Sequence, residues 1–290
     1  MGHKAGASFI GMGGTCAKNV KHRTYGEFNM LPQKHHLLLF HSMIGSMGNK
    51  KQKMSGGGGR IIVKADSIDF ATAGPKLQAD GFPLDVYKNE SIRELQGGSG
   101  GYIYLATHNL KQPNNYHTNS RISAVGGHGL GNSGAGSGGV IVLGGNITLA
   151  ADEKSEEAHK LNIDSSGGVS DYKPKAGYNE GCANGAAGTI WFKKDDILIV
   201  DNKWKRSDKF TRMEAPTYHQ KLNEPHLIAK SVMLKGHAKG AVIGEHHWMA
   251  FDNLYLGHNV TMTLDRERYM FKVQLRQNVD LHPTSTIDLS

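Results

Sequence analysis

Gly97-Gly98-Ser99-Gly100-Gly101-Tyr102-Ile103-Tyr104-Leu105 joins a glycine run to four residues of alternating strand character. The same join is written three more times. Ser55-Gly56-Gly57-Gly58-Gly59 leads into Arg60-Ile61-Ile62-Val63, and Gly136-Ser137-Gly138-Gly139 leads into Val140-Ile141-Val142-Leu143. Gly185-Ala186-Ala187-Gly188 leads into Thr189-Ile190-Trp191-Phe192. Self-similarity of this kind decides the architecture, because each copy buries its apolar face only against its neighbours. The first residues after the runs lie 42, 38 and 49 residues apart (60 to 102, 102 to 140, 140 to 189). Alternation puts Ile61/Val63, Ile103/Leu105, Ile141/Leu143 and Ile190/Phe192 on one face, and Ile62, Tyr104, Val142 and Trp191 on the other.

Two further segments recur in each unit. Residues 67–70, 109–110 and 146–149 read as second strands, and 77–81, 122–126 and 163–167 as third strands. Few Asn-Gly or Asp-Gly pairs are present to close hairpins, and no helical pattern is long enough for a crossover. The expected fold is therefore all-β, a right-handed parallel β-helix (β-solenoid) with long glycine-rich loops. In it the glycines form the corners, through positive φ and close backbone approach. Insertions at 82–96 and 169–180 account for the unequal spacing.

The expected organisation has four parts. Residues 1–54 are an irregular lead-in to the β-helix, 55–192 the glycine-rich repeats, and 193–225 a charged spacer with one strand at 197–200. Residues 226–290 continue the helix with shorter coils. There Ser231, Asn253 and Lys272 begin equivalent strands, 22 and 19 residues apart (231 to 253, 253 to 272), with second strands at 259–264 and 278–281. A strand pattern at 286–290 has no polar cap of the kind a stack needs, so the chain reads as truncated, an excerpt of something larger.

Composition narrows the function. The 38 glycines among 290 residues are roughly twice the usual ~7% share, without a Gly-X-Y period. At 38% hydrophobic residues the chain is too apolar for a flexible linker and can bury a core. The net charge of +8 is scattered, with no basic helix and no aromatic-basic platform, so no nucleic-acid partner is expected. Cys16 and Cys182 both sit in glycine loops, which favours a disulfide closing a very long loop over two free thiols. Asn89, Asn146 and Asn259 each begin an Asn-X-Ser/Thr acceptor for N-glycosylation. Together these features indicate an extracellular or cell-surface protein. The first residues carry no apolar signal region, and no stretch reaches the ~20 apolar residues of a membrane span. Membrane attachment would run only through regions outside this chain.

Gly181-Cys182-Ala183-Asn184-Gly185-Ala186-Ala187-Gly188-Thr189-Ile190-Trp191-Phe192, with Leu198-Ile199-Val200-Asp201-Asn202 after it, resembles the glycine-rich repeats of very large, adhesin-like surface proteins of plants and protists. The order of elements is similar too: a Gly-Gly-X-Cys loop, a linker with Tyr25-Gly26 and Leu31-Pro32, then the repeats. The likeness covers most of residues 1–264. It departs at 43–50, where Met43-Ile44-Gly45-Ser46-Met47-Gly48-Asn49-Lys50 stands in place of a dense glycine run. The resemblance implies a parallel β-helix, a large glycosylated ectodomain and no catalytic residues.

Catalytic and metal chemistry find little support. A glycosidase needs two carboxylates held at a fixed separation; Asp195 with Asp196, and Asp164 with Asp171, are the pairs to weigh, and the first reads as a solvated corner. A lyase needs a basic residue beside acids. Arg60 and Arg121 fit one exposed face, but no clustered acids join them. His35, His36 and His41, and Glu245, His246 and His247, are the densest histidine groups. Adjacent histidines on a strand point to opposite faces, so no metal site is expected. No glycine run continues into Gly-Lys-Ser/Thr and a helix, so none is a phosphate cradle. The reading is a non-catalytic structural or adhesive module without a cofactor, acting as a rigid spacer or assembly unit in a filament or coat. Its partners would be other protein chains, copies of itself, or cell-surface and matrix glycans. The alternative is a carbohydrate-binding or polysaccharide-cleaving β-helix.

Overall fold

The computed structural model describes residues 7–16, 56–71, 74–82, 95–112, 120–131, 133–148, 161–173, 176, 180–214, 226–227, 229–243, 248–264 and 272–288. Among these every regular element is a strand. In chain order they are β1 (Arg60–Asp69), β2 (Lys76–Gln78), β3 (Tyr102–Lys111), β4 (Arg121–Ser123), β5 (Val140–Gly145) and β6 (Asn162–Asp164). Next come β7 (Thr189–Phe192), β8 (Ile197–Asp201), β9 (Thr211–Glu214), β10 (His226–Leu227) and β11 (Ser231–Lys235). The last are β12 (Lys239–Ile243), β13 (Trp248–Leu256), β14 (Thr261–Leu264), β15 (Lys272–Leu281) and β16 (Thr286–Asp288).

The alignment of the glycine–strand junctions is the hydrogen-bonded register. Arg60, Tyr102, Val140 and Thr189 face one another in sequence across the parallel ladder β1-β3-β5-β7. Leu77, Ile122 and Ile163 do the same across the parallel sheet β2-β4-β6. The second strands differ from expectation. Residues 67–69 and 109–110 continue β1 and β3, with Ser67 opposite Asn109 and Ile68 opposite Leu110. The linking Lys64-Ala65-Asp66 and Ala106-Thr107-His108 contain no glycine or proline to bend the chain. In β5 a bend does occur: Gly145 has φ 74°, and residues 146–148 lie outside any strand.

The expected spacer holds two strands, β8 and β9, and β8 reverses the chain. It pairs antiparallel with β7, Trp191 opposite Leu198, across the turn at 193–196. The large sheet is thereby split into two parallel halves that run in opposite directions, β1-β3-β5-β7 and β8-β11-β13-β15. In the second half Asn253 faces Ser231 on one side and Asn278 on the other, whereas Lys272 faces Trp248. Residues 278–281, not 272–275, are therefore the equivalent of 253–256. A β-bulge adds one residue to this offset: Phe251 faces Leu275 and Asn253 faces Asn278, so β15 fits two residues against Asp252. The rest comes from the length of β13, which begins at Trp248, before Asn253, and takes Lys272 as the partner of that first residue.

The two halves are covered on opposite faces. Ile103, Leu105, Ile141, Leu143, Ile190 and Phe192 pack with Ile122 and Ile163 of the three-stranded sheet. Leu198, Val200, Val232, Leu234, Leu254 and Leu256 point the other way and pack with Met213, Val242 and Met262 of the sheet β16-β14-β12-β9. That second core continues under the first half, where Tyr102, Val140, Val142 and Trp191 meet Phe9 and Ile10. Each fully buried aliphatic side chain contributes roughly 1.5–3 kcal/mol.

The glycine runs depart furthest from the sequence reading, because apart from Gly59, at φ 72°, they do not turn the chain through positive φ. Gly97, Gly98, Gly100, Gly101, Gly136, Gly138 and Gly139 all lack positive φ. Their N–H groups instead fan out with a period of three. Gly97 and Gly100 donate to the carbonyls of Gly134 and Ser137, while Gly98 and Gly101 donate to those of Phe82 and Ala79. One segment on, Ala135 and Gly138 donate to Ala183 and Ala186, and Gly136 and Gly139 to Gly127 and Ala124. Ser137 takes the third direction, to Ala7. Three residues per turn is the period of the extended polyproline II helix, which bonds only to its neighbours. Such rods close into a bundle when no side chain separates them: a Cβ on Gly138 would lie 1.8 Å from the Ser165 carbonyl oxygen. This part of the interior is a core of backbone, held by the hydrogen bonds that buried peptide groups require.

Candidate functional site

Cys16 and Cys182 form a disulfide with a Cα–Cα distance of 5.0 Å, and only 4% and 2% of each residue is exposed. Ala183 and Tyr172 pack against it, and Thr15 N–H donates to the Cys182 carbonyl at 2.9 Å. The bridge ties the N-terminal rod to the rod that opens β7. Two of the three expected glycosylation acceptors are described. Asn146 is exposed just past β5, and Asn259 is exposed at φ 51° in the turn before β14. Asn89 lies outside the described residues.

The residues considered for acid–base work are placed differently from the sequence reading. An acid does join Arg121: its Nη2 donates to Asp164 Oδ2 at 3.2 Å. Asp164 lies 43 residues away in sequence but on the adjacent strand, since β4 and β6 pair directly. Arg60 is elsewhere, exposed on the edge strand β1 of the large sheet. Asp164 Oδ1 accepts the Ser166 N–H at 2.9 Å. Asp80 accepts the Val125 N–H at 2.7 Å and the Ser123 hydroxyl at 2.9 Å. Lys205, absent from the sequence reading, crosses to this region and donates to Ser166 Oγ at 2.7 Å and the Gly167 carbonyl at 2.9 Å. Burial pushes the Lys205 ammonium pKa below its usual value, against the upward pull of Asp164.

The two candidate carboxylate pairs have these surroundings. Asp171 is exposed, while Asp164 is held by Arg121. Asp196 accepts the Trp191 indole N–H at 3.1 Å and the Lys230 N–H at 2.9 Å, so it caps the reversing turn.

His35, His36, His41, Glu245, His246 and His247 lie outside the described residues. Three of the described histidines form a different group with a tryptophan. Trp204, His237, His258 and His282 occupy the turns after β8, β11, β13 and β15 and make a column of rings along one end of these strands. Centroids lie 5.5 Å apart for Trp204–His237, 5.7 Å for Trp204–His258, 6.2 Å for His237–His258 and 4.7 Å for His258–His282. Burial lowers the His237 pKa, and Arg206 and His258 act in the same direction. The repeated pairs Gly236-His237 and Gly257-His258, after the neighbouring strands β11 and β13, are the sequence signal that could have found this column. Among the described residues no three His, Cys, Asp or Glu side chains are arranged to hold a metal ion. Nor is any helix there long and apolar enough to cross a membrane.

Compared with protein-family models, curated proteins and solved structures, the chain returns no match.

Proposed function

We propose that this chain is a non-catalytic structural and adhesive module of a larger extracellular or cell-surface glycoprotein. The observation that carries the reading is where its half-buried and buried polar side chains are spent. Asp80, Asp164 and Asp196 each accept backbone N–H groups. Asn184 accepts the Ser170 N–H and donates to the Arg206 carbonyl, and Asn202 bridges the Gly167 N–H and the Lys205 carbonyl. Lys205 is anchored to the rod at 166–167. Groups held this way position backbone; a general acid or base needs a proton-transfer face directed at substrate.

The scaffold is read as two short, right-handed parallel β-helical stacks joined at the antiparallel β7–β8 seam. A coil's interior side follows from its hand, its strand direction and its direction of growth. Reversing the strands while growth continues the same way moves the interior to the opposite face. The three-stranded and four-stranded sheets do cover opposite faces, which supports one hand throughout. The buried disulfide and the two exposed acceptors Asn146 and Asn259 support an oxidising, extracellular setting.

Intact-mass analysis of the natively expressed protein, with and without glycosidase and reductant, tests the setting. A bare mass with two free thiols would sink the extracellular reading. Turnover of any polysaccharide, abolished by Asp164→Asn, would overturn the non-catalytic one.

A further inference from the structure

Along β8, β11, β13 and β15 the sheet face opposite the four-stranded sheet carries a groove of about 520 Å³. Two columns of side chains line it. Ser231, Asn253 and Asn278 occupy one register position on successive strands, and Met233, Tyr255 and Asp280 the next on the same face. The first column is a hydrogen-bonded ladder: Asn253 Nδ2 donates to Ser231 Oγ at 3.0 Å, and Asn278 Nδ2 donates to Asn253 Oδ1 at 3.0 Å. The bulge in β15 adds Gln277 to the lining, the re-aiming that an extra residue in a strand produces. Lys235 Nζ lies 5.9 Å from the Tyr255 ring centroid and holds the ring from the turn end of β11.

We propose that this groove binds a neutral polysaccharide chain laid across the strands. Each primary amide offers two donors and an acceptor oxygen, the combination that matches a sugar hydroxyl, itself both donor and acceptor. The ladder uses one N–H of each asparagine, which leaves each amide a second donor, and the amides repeat at the ~4.8 Å spacing of neighbouring strands. Tyr255 supplies a flat apolar face with a polar tip, suited to the C–H face of a pyranose ring. Charge selects among polymers. The chain carries +8 overall, yet among the described residues that line the groove Asp280 alone is charged, with Lys235 reaching only the Tyr255 ring at its end. A nucleic acid or sulfated glycan needs a basic lining, and a lipid or apolar helix would strand Ser231, Asn253, Gln277, Asn278 and Asp280. A neutral glycan meets neither objection.

This inference rests on the adhesive reading and names its partner class. The test is isothermal titration of the disulfide-intact chain with neutral gluco-, xylo-, manno- and chito-oligosaccharides, and with heparin as the anionic probe. Saturable binding to at least one neutral series is expected. Asn278→Ala and Gln277→Ala should each weaken it at least tenfold. Both residues are exposed on β15, so the melting temperature should stay at that of the parent. Asp66→Ala, exposed on β1 at the far end of the sheet, should bind like the parent. No saturable binding to any neutral series, binding unchanged by both groove variants, or binding to heparin alone would each overturn the proposal. The thiol and glycan masses that test the extracellular reading are measured separately, so either can fail without the other.

Discussion

The Trp191 indole N–H donates to Asp196 Oδ1 at 3.1 Å, tying the last strand of one parallel half to the turn that begins the other. Asp196 Oδ2 accepts the Lys230 N–H at 2.9 Å, and the Asp196 carbonyl accepts the Ser231 N–H at 3.1 Å. One residue thus joins β7, the reversing turn and the start of β11. It does so at φ 52°, a conformation aspartate tolerates better than most side chains. Because the reversal moves the interior to the other face of the sheet, this turn decides which side chains of β8, β11 and β13 become core.

Asp196→Ala removes both side-chain acceptors and leaves a Cβ residue in the left-handed region. It should lower unfolding free energy by about 2–3 kcal/mol, and Asp196→Asn, which keeps an acceptor and tolerates the same φ, by about 1 kcal/mol. Urea denaturation checks this: the midpoint should fall at an unchanged slope for both variants. Equal losses would show that the turn is held by its charge alone.

The glycine run 56–59 should give three different answers to one substitution. A Cβ on Gly56 meets nothing within 4 Å and φ there is not positive, so Gly56→Ala should be neutral or stabilising by up to about 1 kcal/mol. Gly59 also faces open space but has φ 72°, and alanine there should cost about 1–2 kcal/mol. A Cβ on Gly58 would sit 1.8 Å from the Ala79 carbonyl oxygen and 2.5 Å from the Gly101 nitrogen, both backbone. Gly58→Ala should therefore cost more than about 4 kcal/mol, visible as loss of the folded species on expression or as a collapsed denaturation midpoint.

That contrast also explains what could be read from the sequence. The junctions at Arg60, Tyr102, Val140 and Thr189 were legible because a glycine run meeting alternating apolar residues is a sharp boundary, and parallel pairing repeats it in register. What glycine does at each position was not legible. Freedom of φ and absence of a side chain are one chemical fact, and only the neighbours decide which is used. The reversal at 193–196 was hidden because Lys193-Lys194-Asp195-Asp196 carries no glycine, its positive φ being borne by Asp196. Of the candidate residues, Cys16 and Cys182 were found from their place in glycine loops. Arg121 and Asp164 were not paired, since their meeting depends on the register of β4 against β6. The amide ladder was missed for a related reason: β13 begins at Trp248, which takes Lys272 as its partner and leaves Asn278, one residue on from the regular register, opposite Asn253.

The disulfide closes a loop with a sequence separation of 166 residues. In the chain-entropy description a loop of that length restricts the unfolded chain by about 5 kcal/mol. Replacing Cys16 and Cys182 together by alanine should lower unfolding free energy by up to about 5 kcal/mol. Reductant should depress the melting temperature of the parent and leave the double variant unchanged. A parent whose melting temperature ignores reductant under denaturing scan conditions would contradict the assigned role.

His237 gives the ring column a direction of pH dependence. Burial holds its pKa below the ordinary value near 6.5, helped by the positive charge of Arg206 and by His258. At pH just below that value the unfolded chain takes up a proton that the folded chain does not. Stability then rises with pH, because the unfolded state binds more protons. The contribution of neutral His237 is complete above about pH 6.5 and is lost as pH falls through its depressed folded value. His237→Asn keeps a residue that tolerates φ 64° and removes the titrating group. Urea midpoints measured from pH 7.5 downward should therefore fall more steeply for the parent than for this variant. Parallel curves would show that the ring at 237 titrates alike in the folded and unfolded chain, leaving the acid sensitivity of the stack to other groups.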